Sequence, residues 1–100
     1  MNNVTIVIPG DAVAGSPADD AMDRLRDVHG LSPDMLTVDF SAIRTADTAW
    51  LAMLHLVLLD IEDRGALVLL DHIPAALTPM LEATGMNTAF FCRHANGRSP

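Results

Sequence analysis

Several residue types that particular functions require are scarce in this sequence of 100 residues. The one cysteine, Cys92, cannot form an internal disulfide, and we expect a cytoplasmic protein. There is no tyrosine, and the four aromatic residues leave little surface for stacking unpaired bases. Six Lys and Arg residues stand against 13 Asp and Glu residues, which gives a formal net charge of −7. This balance argues against nucleic acid and anionic membrane as partners and leaves a basic protein partner open.

Long apolar runs and catalytic motifs are also missing. The longest apolar run, 49–59, is interrupted by His55 and falls short of the roughly 18 residues that a membrane span needs, so we expect no membrane insertion. The sequence has no Gly-rich phosphate loop and no Gly-x-Ser-x-Gly turn. Its four histidines lie far apart, with no cysteine or carboxylate at metal-ligand spacing. We therefore expect no enzyme, no cofactor and no metal site.

Half of the residues are apolar, enough for the core of one domain, and predicted strands and helices alternate along the chain. The predicted strands cover 4–8, 35–40, 66–70 and 89–91, and the predicted helices cover 17–29, 48–64 and 74–84. This order predicts an α/β domain over residues 1–92, with a central sheet of about four strands, mixed but containing parallel pairs joined by right-handed crossovers. Residues 93–100 are predicted to be a loose tail.

Turn and capping residues support these bounds. Ser16 and Pro17 have the residue types of a helix cap and first helical position, and Gly65 and Gly85 stand where the second and third helices should end. Pro79 either kinks the third helix or lies in its first turn after a later start. Segments 11–15 and 31–34 are predicted to be a loop and a turn.

The most informative stretch runs from the strand that ends near residue 40 into the long helix that begins at Thr48. Asp47 or Thr48 is suited to be the helix N-cap, because either side-chain oxygen can accept a hydrogen bond from a free N–H of the first turn. The same free N–H groups and the helix dipole would tolerate a phosphate on Thr48. A role as helix N-cap would be enough to explain a threonine at position 48. The alternative is that this junction is a functional site.

The long helix is apolar on more than one side. On a helical wheel we expect one set of residues to face the sheet, namely Trp50, Met53, Leu54, Val57 and Ile61. The opposite set consists of Thr48, Ala52, His55, Leu59 and Glu62, flanked by Leu51 and Leu58. Ala52 and Leu59 are unusual for a solvated surface, so we expect a partner to cover this side. A neighbouring helix of the same chain is the alternative cover.

The element order and the residues at this junction resemble the STAS domain, the fold of bacterial anti-sigma factor antagonists. The resemblance lies in Val38-Asp39-Phe40-Ser41-Ala42, Asp47-Thr48-Ala49-Trp50-Leu51, the strand 66–70, Ile73-Pro74-Ala75 and Leu81-Glu82-Ala83-Thr84-Gly85-Met86. In the family, the first pattern is a strand ending in Asp followed by Ser, and the second is Asp-Ser-Ser-Gly-Leu opening a helix. The resemblance implies a minimal STAS domain, without the usual extra N-terminal strand and C-terminal helix.

The resemblance also implies a function. In this family the first Ser or Thr after the Asp is phosphorylated by a partner kinase, the anti-sigma factor, and Thr48 falls on that position. The unmodified protein binds the anti-sigma factor and frees the sigma factor, so the implied role is transcription regulation by a phosphoprotein. The implied partner-binding residues are Asp47, Thr48, Ala49, Trp50, Leu51, Ala52, His55 and Leu59.

This sequence departs from the family pattern at two adjacent positions. Ala49 replaces the second Ser, and Trp50 stands where the family usually has Gly. Asp-Thr followed by small residues and a Leu-rich helix also resembles a second branch of the family, the STAS subunits that dock on the ATPase of ABC-type lipid transporters. A third alternative is a domain that binds a small ligand near the helix start without any kinase.

Overall fold

The computed structural model describes residues 2–28, 30 and 33–95. Its strands are β1 (Asn3–Val7), β2 (Gly10–Ala12), β3 (Met35–Asp39), β4 (Ile43–Ala46), β5 (Leu67–Ile73) and β6 (Phe91–His94). Its helices are α1 (Pro17–Val28), α2 (Thr48–Asp63), α3 (Thr78–Thr84) and α4 (Met86–Ala89), with a 3-10 turn over Ala75–Leu77 before α3. The predicted helix end at His29, part of the predicted turn 31–34, and the predicted tail from residue 96 onward lie outside the described residues.

A four-stranded sheet forms the centre of the domain, in the order β1-β3-β5-β6. Every pairing in it is parallel, which confirms the four-stranded α/β fold, although we had expected a mixed sheet. Each of its three crossovers, through α1, α2 and α3, moves in the same direction across the sheet. Right-handed crossovers of this kind place all the helices on one face.

The burial of the strands follows this one-sided arrangement. Ile6, Leu36, Val38, Val68 and Leu70 alternate along their strands and are buried in the core beneath the helices. The residues between them point to the opposite face of the sheet, which we call the open sheet face. Leu67 and Phe91 belong to the open sheet face and are 46% and 64% exposed.

Local signals set the helix ends as predicted. The Ser16 hydroxyl accepts from the Ala18 N–H at 3.2 Å and so caps α1. Gly85 ends α3 with φ of 81°, a conformation that glycine adopts without strain. Pro79 lies in the first turn of α3 because that helix starts late, at Thr78.

Several features differ from the sequence prediction. β5 continues to Ile73, beyond the predicted end at residue 70, and α3 starts at Thr78 rather than at residue 74. β2 and β4 form a small parallel sheet of their own, where we had predicted a loop. The segment after Gly85 is the short helix α4, so the last strand starts at Phe91 rather than at residue 89. β6 continues to His94 because Arg93 is tied to Asp71, and the first residues of the predicted tail therefore belong to the sheet.

Candidate functional site

The junction between β4 and α2 is held by a side-chain cap. Asp47 is the N-cap, and its carboxylate Oδ1 accepts from the Ala49 N–H at 3.0 Å. The carbonyl of Asp47 accepts the Leu51 N–H at 3.0 Å, which closes the first turn. Of the two N-cap candidates, the structure therefore selects Asp47. Thr48 is the first residue of α2, and it is exposed.

The small β2–β4 sheet fixes this junction in place. The Asp47 N–H donates to the carbonyl of Ala12 in β2 at 2.9 Å. Asp11 accepts from the Thr45 hydroxyl at 3.0 Å and forms an ion pair with Arg44 at 3.3 Å. These contacts tie the start of α2, and with it Thr48, to the chain segment that follows β1. The sequence alone does not predict these contacts, because β2 is short and lies 33 residues or more from its partners in β4.

A continuous band of exposed apolar residues extends from Thr48 along α2. We call it the α2 stripe, and it consists of Ala49, Ala52, Met53, Leu56 and Leu59. Six large apolar side chains are exposed among the residues that the structure describes, and three of them lie here: Met53 is 49%, Leu56 67% and Leu59 39% exposed. The spacing of three and four residues places the band on one side of the helix. A surface of this kind is typical of a protein-binding site.

Of the predicted partner-binding residues, Leu51 is wrong, and Trp50 leaves very little of its surface to a partner. Trp50 is 5% exposed and Leu51 is fully buried, because both side chains pack into the domain's own core. Asp47, Thr48, Ala49, Ala52 and Leu59 are exposed and lie on the predicted side of the helix start. His55 is half-buried, and its ring meets that of Phe90 edge to face, with centroids 5.5 Å apart.

The predicted orientation of α2 is also partly wrong. Met53 was expected to face the sheet and is exposed, whereas Leu58 was expected beside the partner surface and is fully buried. The residues that α2 buries are Trp50, Leu51, Leu54, Leu58 and Ile61. Because apolar residues surround most of this helix, its sequence does not distinguish the two orientations.

Trp50 occupies its buried position through a polar contact as well. Its indole Nε1–H donates to the Asp19 carboxylate in α1 at 2.9 Å. The backbone N–H of Gly15 donates to the same carboxylate, and this bond, followed by that of Trp50, lowers the pKa of Asp19 below its ordinary value. Trp50 therefore connects α1 to α2, where a glycine would leave a gap.

A second polar cluster lies at the ends of β5 and β6. Arg93 donates to both carboxylate oxygens of Asp71, at 2.8 and 3.2 Å, and lowers the pKa of that carboxyl below its ordinary value. His72 has a left-handed φ of 53° and places Nδ1 3.3 Å from Asp39 and 3.6 Å from Asp71. Arg93 thus pairs with Asp71, and His72 lies between the carboxylates of Asp39 and Asp71, so the cluster joins the ends of β3, β5 and β6.

The described residues hold no group of three or more His, Cys, Asp or Glu side chains arranged to bind a metal ion. Cys92 is partly buried against the core, and burial raises the pKa of its thiol. Over the same residues, no helix is both long and apolar enough to cross a membrane. The candidate site is the junction together with the exposed α2 stripe beside it.

The comparison with known proteins agrees with this architecture. A family model described as "Mlab, STAS domain" matches residues 13–92, which include β4, α2 and the α2 stripe. A comparison with curated proteins gives no match. The match covers well over half of the chain and includes each helix. The resemblance seen in the sequence is therefore confirmed, and the chain belongs to the STAS domain family.

Proposed function

We propose that this protein is an anti-sigma factor antagonist, which binds its partner through Thr48 and the α2 stripe and is switched by phosphorylation of Thr48. The proposal is carried by one observation: an exposed hydroxyl in the first turn of α2 stands directly beside an exposed apolar band. The partner is an anti-sigma factor with serine/threonine kinase activity. The STAS family and the hydrogen-bonded β2–β4 support are consistent with this role.

The switch follows from the position of Thr48. A phosphate there brings about −1.5 to −2 charges to the edge of an apolar contact surface and next to the Asp47 carboxylate. A partner that packs on the stripe must desolvate this charge, which is costly. The helix start itself tolerates a phosphate, because its N–H groups and dipole favour negative charge. Phosphorylation should therefore weaken the complex and leave the fold intact.

Incubation of the purified protein with ATP and the candidate kinase tests the proposal. We expect phosphate on Thr48 in the wild type and none in Thr48→Ala. Thr45→Ala is a matched control, because Thr45 is a second exposed threonine three residues away. Label that persists in Thr48→Ala would contradict the proposal. Thr48→Glu should weaken partner binding about tenfold or more, and an unchanged affinity would count against the switch.

The length of the α2 stripe favours a second candidate, a STAS subunit docked permanently on an ABC-transporter ATPase. The stripe covers ten residue steps of α2, or about 15 Å, and permanent interfaces are more apolar than transient ones. In this case Thr48 contacts the ATPase without being phosphorylated. Co-purification of the ATPase, no phosphate on Thr48, and a complex weakened by Leu56→Ser would support this candidate over the first.

A further inference from the structure

A groove between α1 and α2 runs along one flank of the α2 stripe. It is formed by two neighbouring cavities, of about 420 and 280 Å³, which share Arg26 as a lining residue. Met22, Trp50 and Met53 form apolar walls in the larger cavity, and Leu25 and Leu56 do so in the smaller one. Thr48 lines neither cavity. The groove adjoins the stripe through Ala49, Met53 and Leu56, and its larger cavity reaches Asp47 and Ala49, the residues on either side of Thr48.

The groove is acidic where it is widest. Asp19, Asp23 and Asp47 line the larger cavity together with one cation, Arg26. The three carboxylates and the one guanidinium sum to a charge of −2. Arg26 reaches Asp23 at 3.4 Å, but both side chains are about half exposed or more, so this pair is solvated and exchangeable. This cavity therefore offers carboxylates to the basic groups of a partner and apolar walls to its apolar side chains.

We propose that the groove receives an amphipathic helix of the partner, with apolar side chains on the α2 stripe and a Lys or Arg beside Asp23 and Asp47. The inference rests on the proposed function, since it assumes that α2 binds a partner. Charge complementarity selects a basic helix over an acidic one. Helices that dock in this way anchor through residues spaced three and four apart, which matches the spacing of the stripe.

Trp50 is an intrinsic fluorescent probe of this site. Trp50 is the only tryptophan, there is no tyrosine, and its indole both lines the larger cavity and bonds to Asp19. Its fluorescence therefore reports on the groove. The probe is a synthetic amphipathic Leu/Lys helix, and the control probe is the same peptide with Glu in place of Lys. We expect a saturable change in Trp50 emission with the Lys peptide only, weakening as salt increases.

Three variants make the test specific. Asp23→Asn should weaken Lys-peptide binding roughly two- to fivefold, the range for one exposed charge pair. Arg26→Gln removes the cation that competes for this carboxylate and should strengthen binding. Glu82→Gln changes the net charge as much as Asp23→Asn does, but Glu82 is an exposed residue of α3 outside both cavities, so binding should not change.

Two results would overturn the inference: equal weakening by Asp23→Asn and Glu82→Gln, or equal binding of the Glu peptide. The first would mean that only overall charge attracts the peptide, and the second that charge does not select the helix. The assay uses unphosphorylated protein and no kinase, so its outcome does not depend on whether a kinase acts on Thr48. A failed phosphorylation test together with specific Lys-peptide binding would reject the proposed switch and retain the groove.

Discussion

Two leucines five positions apart in α2 should differ sharply in their contribution to stability. Leu51 is fully buried, whereas Leu56 is 67% exposed on the α2 stripe. Leu51→Ala removes apolar volume from the core and leaves a cavity, which costs about 2–5 kcal/mol. Leu56→Ala removes side-chain atoms that are mostly in water already, so we expect a change within about 0.5 kcal/mol.

Urea and thermal unfolding measure this difference. In a domain of this size, 1 kcal/mol shifts the melting temperature by roughly 4–8 °C, so Leu51→Ala should lower it by at least about 8 °C. Leu56→Ala should stay within about 4 °C of the wild type. Far-UV circular dichroism follows the helices in both variants, and Trp50 fluorescence follows the core.

Equal losses of stability in the two variants, or a larger loss for Leu56→Ala, would refute the orientation of α2. That orientation decides which residues a partner can reach. The same pair also separates folding from binding: Leu56→Ala should remain folded and bind a partner more weakly. A stable Leu51→Ala would mean that the side chain of Leu51 is not part of the core.

Three further predictions concern the contacts around the site. Arg93 lowers the pKa of Asp71 in the folded state, so the unfolded state binds more protons in acid. The free energy of unfolding should therefore fall below about pH 4, and it should fall less steeply in Arg93→Met. Measurement of the unfolding free energy as a function of pH checks this. Asp47→Ala should lose about 0.5–2 kcal/mol in urea unfolding and Asp47→Asn little, since Asn also caps helices; equal losses would contradict the cap. Gly85→Ala should lower the free energy of unfolding by about 1 kcal/mol, because residue 85 has a φ of 81°. A steric clash is not the cause, since the nearest atom to an added Cβ, in His55, is 3.8 Å away. An unchanged free energy of unfolding would contradict this.

The parts of the fold that depend on local chemistry could be predicted from the sequence. Ser16 and Pro17 mark the start of α1, and Gly85 marks the end of α3, because each acts through its own backbone geometry or cap. The start of α2 at Thr48 follows from the neighbouring Asp47 in the same way. The alternation of strands and helices then predicts parallel pairs joined by crossovers, but it does not predict that every pair in the central sheet is parallel.

Features that depend on distant residues could not be predicted in this way. The contact between Trp50 and Asp19 joins residues 31 positions apart, and that between Arg93 and Asp71 joins residues 22 apart. β2 has three residues, too few for a recognisable alternation. The apolar residues around α2 allow more than one orientation, so packing against α1 and the sheet, rather than the helix's own pattern, decides that Met53 is exposed.

The central claim, that a partner binds the exposed side of α2, is tested most directly by the partner's affinity for two leucine variants. Leu56→Ser alters the α2 stripe, and Leu67→Ser makes the same change on the open sheet face, where Leu67 is 46% exposed. The measurement is calorimetric titration with each proposed partner, an anti-sigma kinase or an ABC-transporter ATPase. We expect Leu56→Ser to weaken binding about tenfold or more and Leu67→Ser to leave it unchanged. Full affinity in Leu56→Ser with loss in Leu67→Ser would contradict the claim.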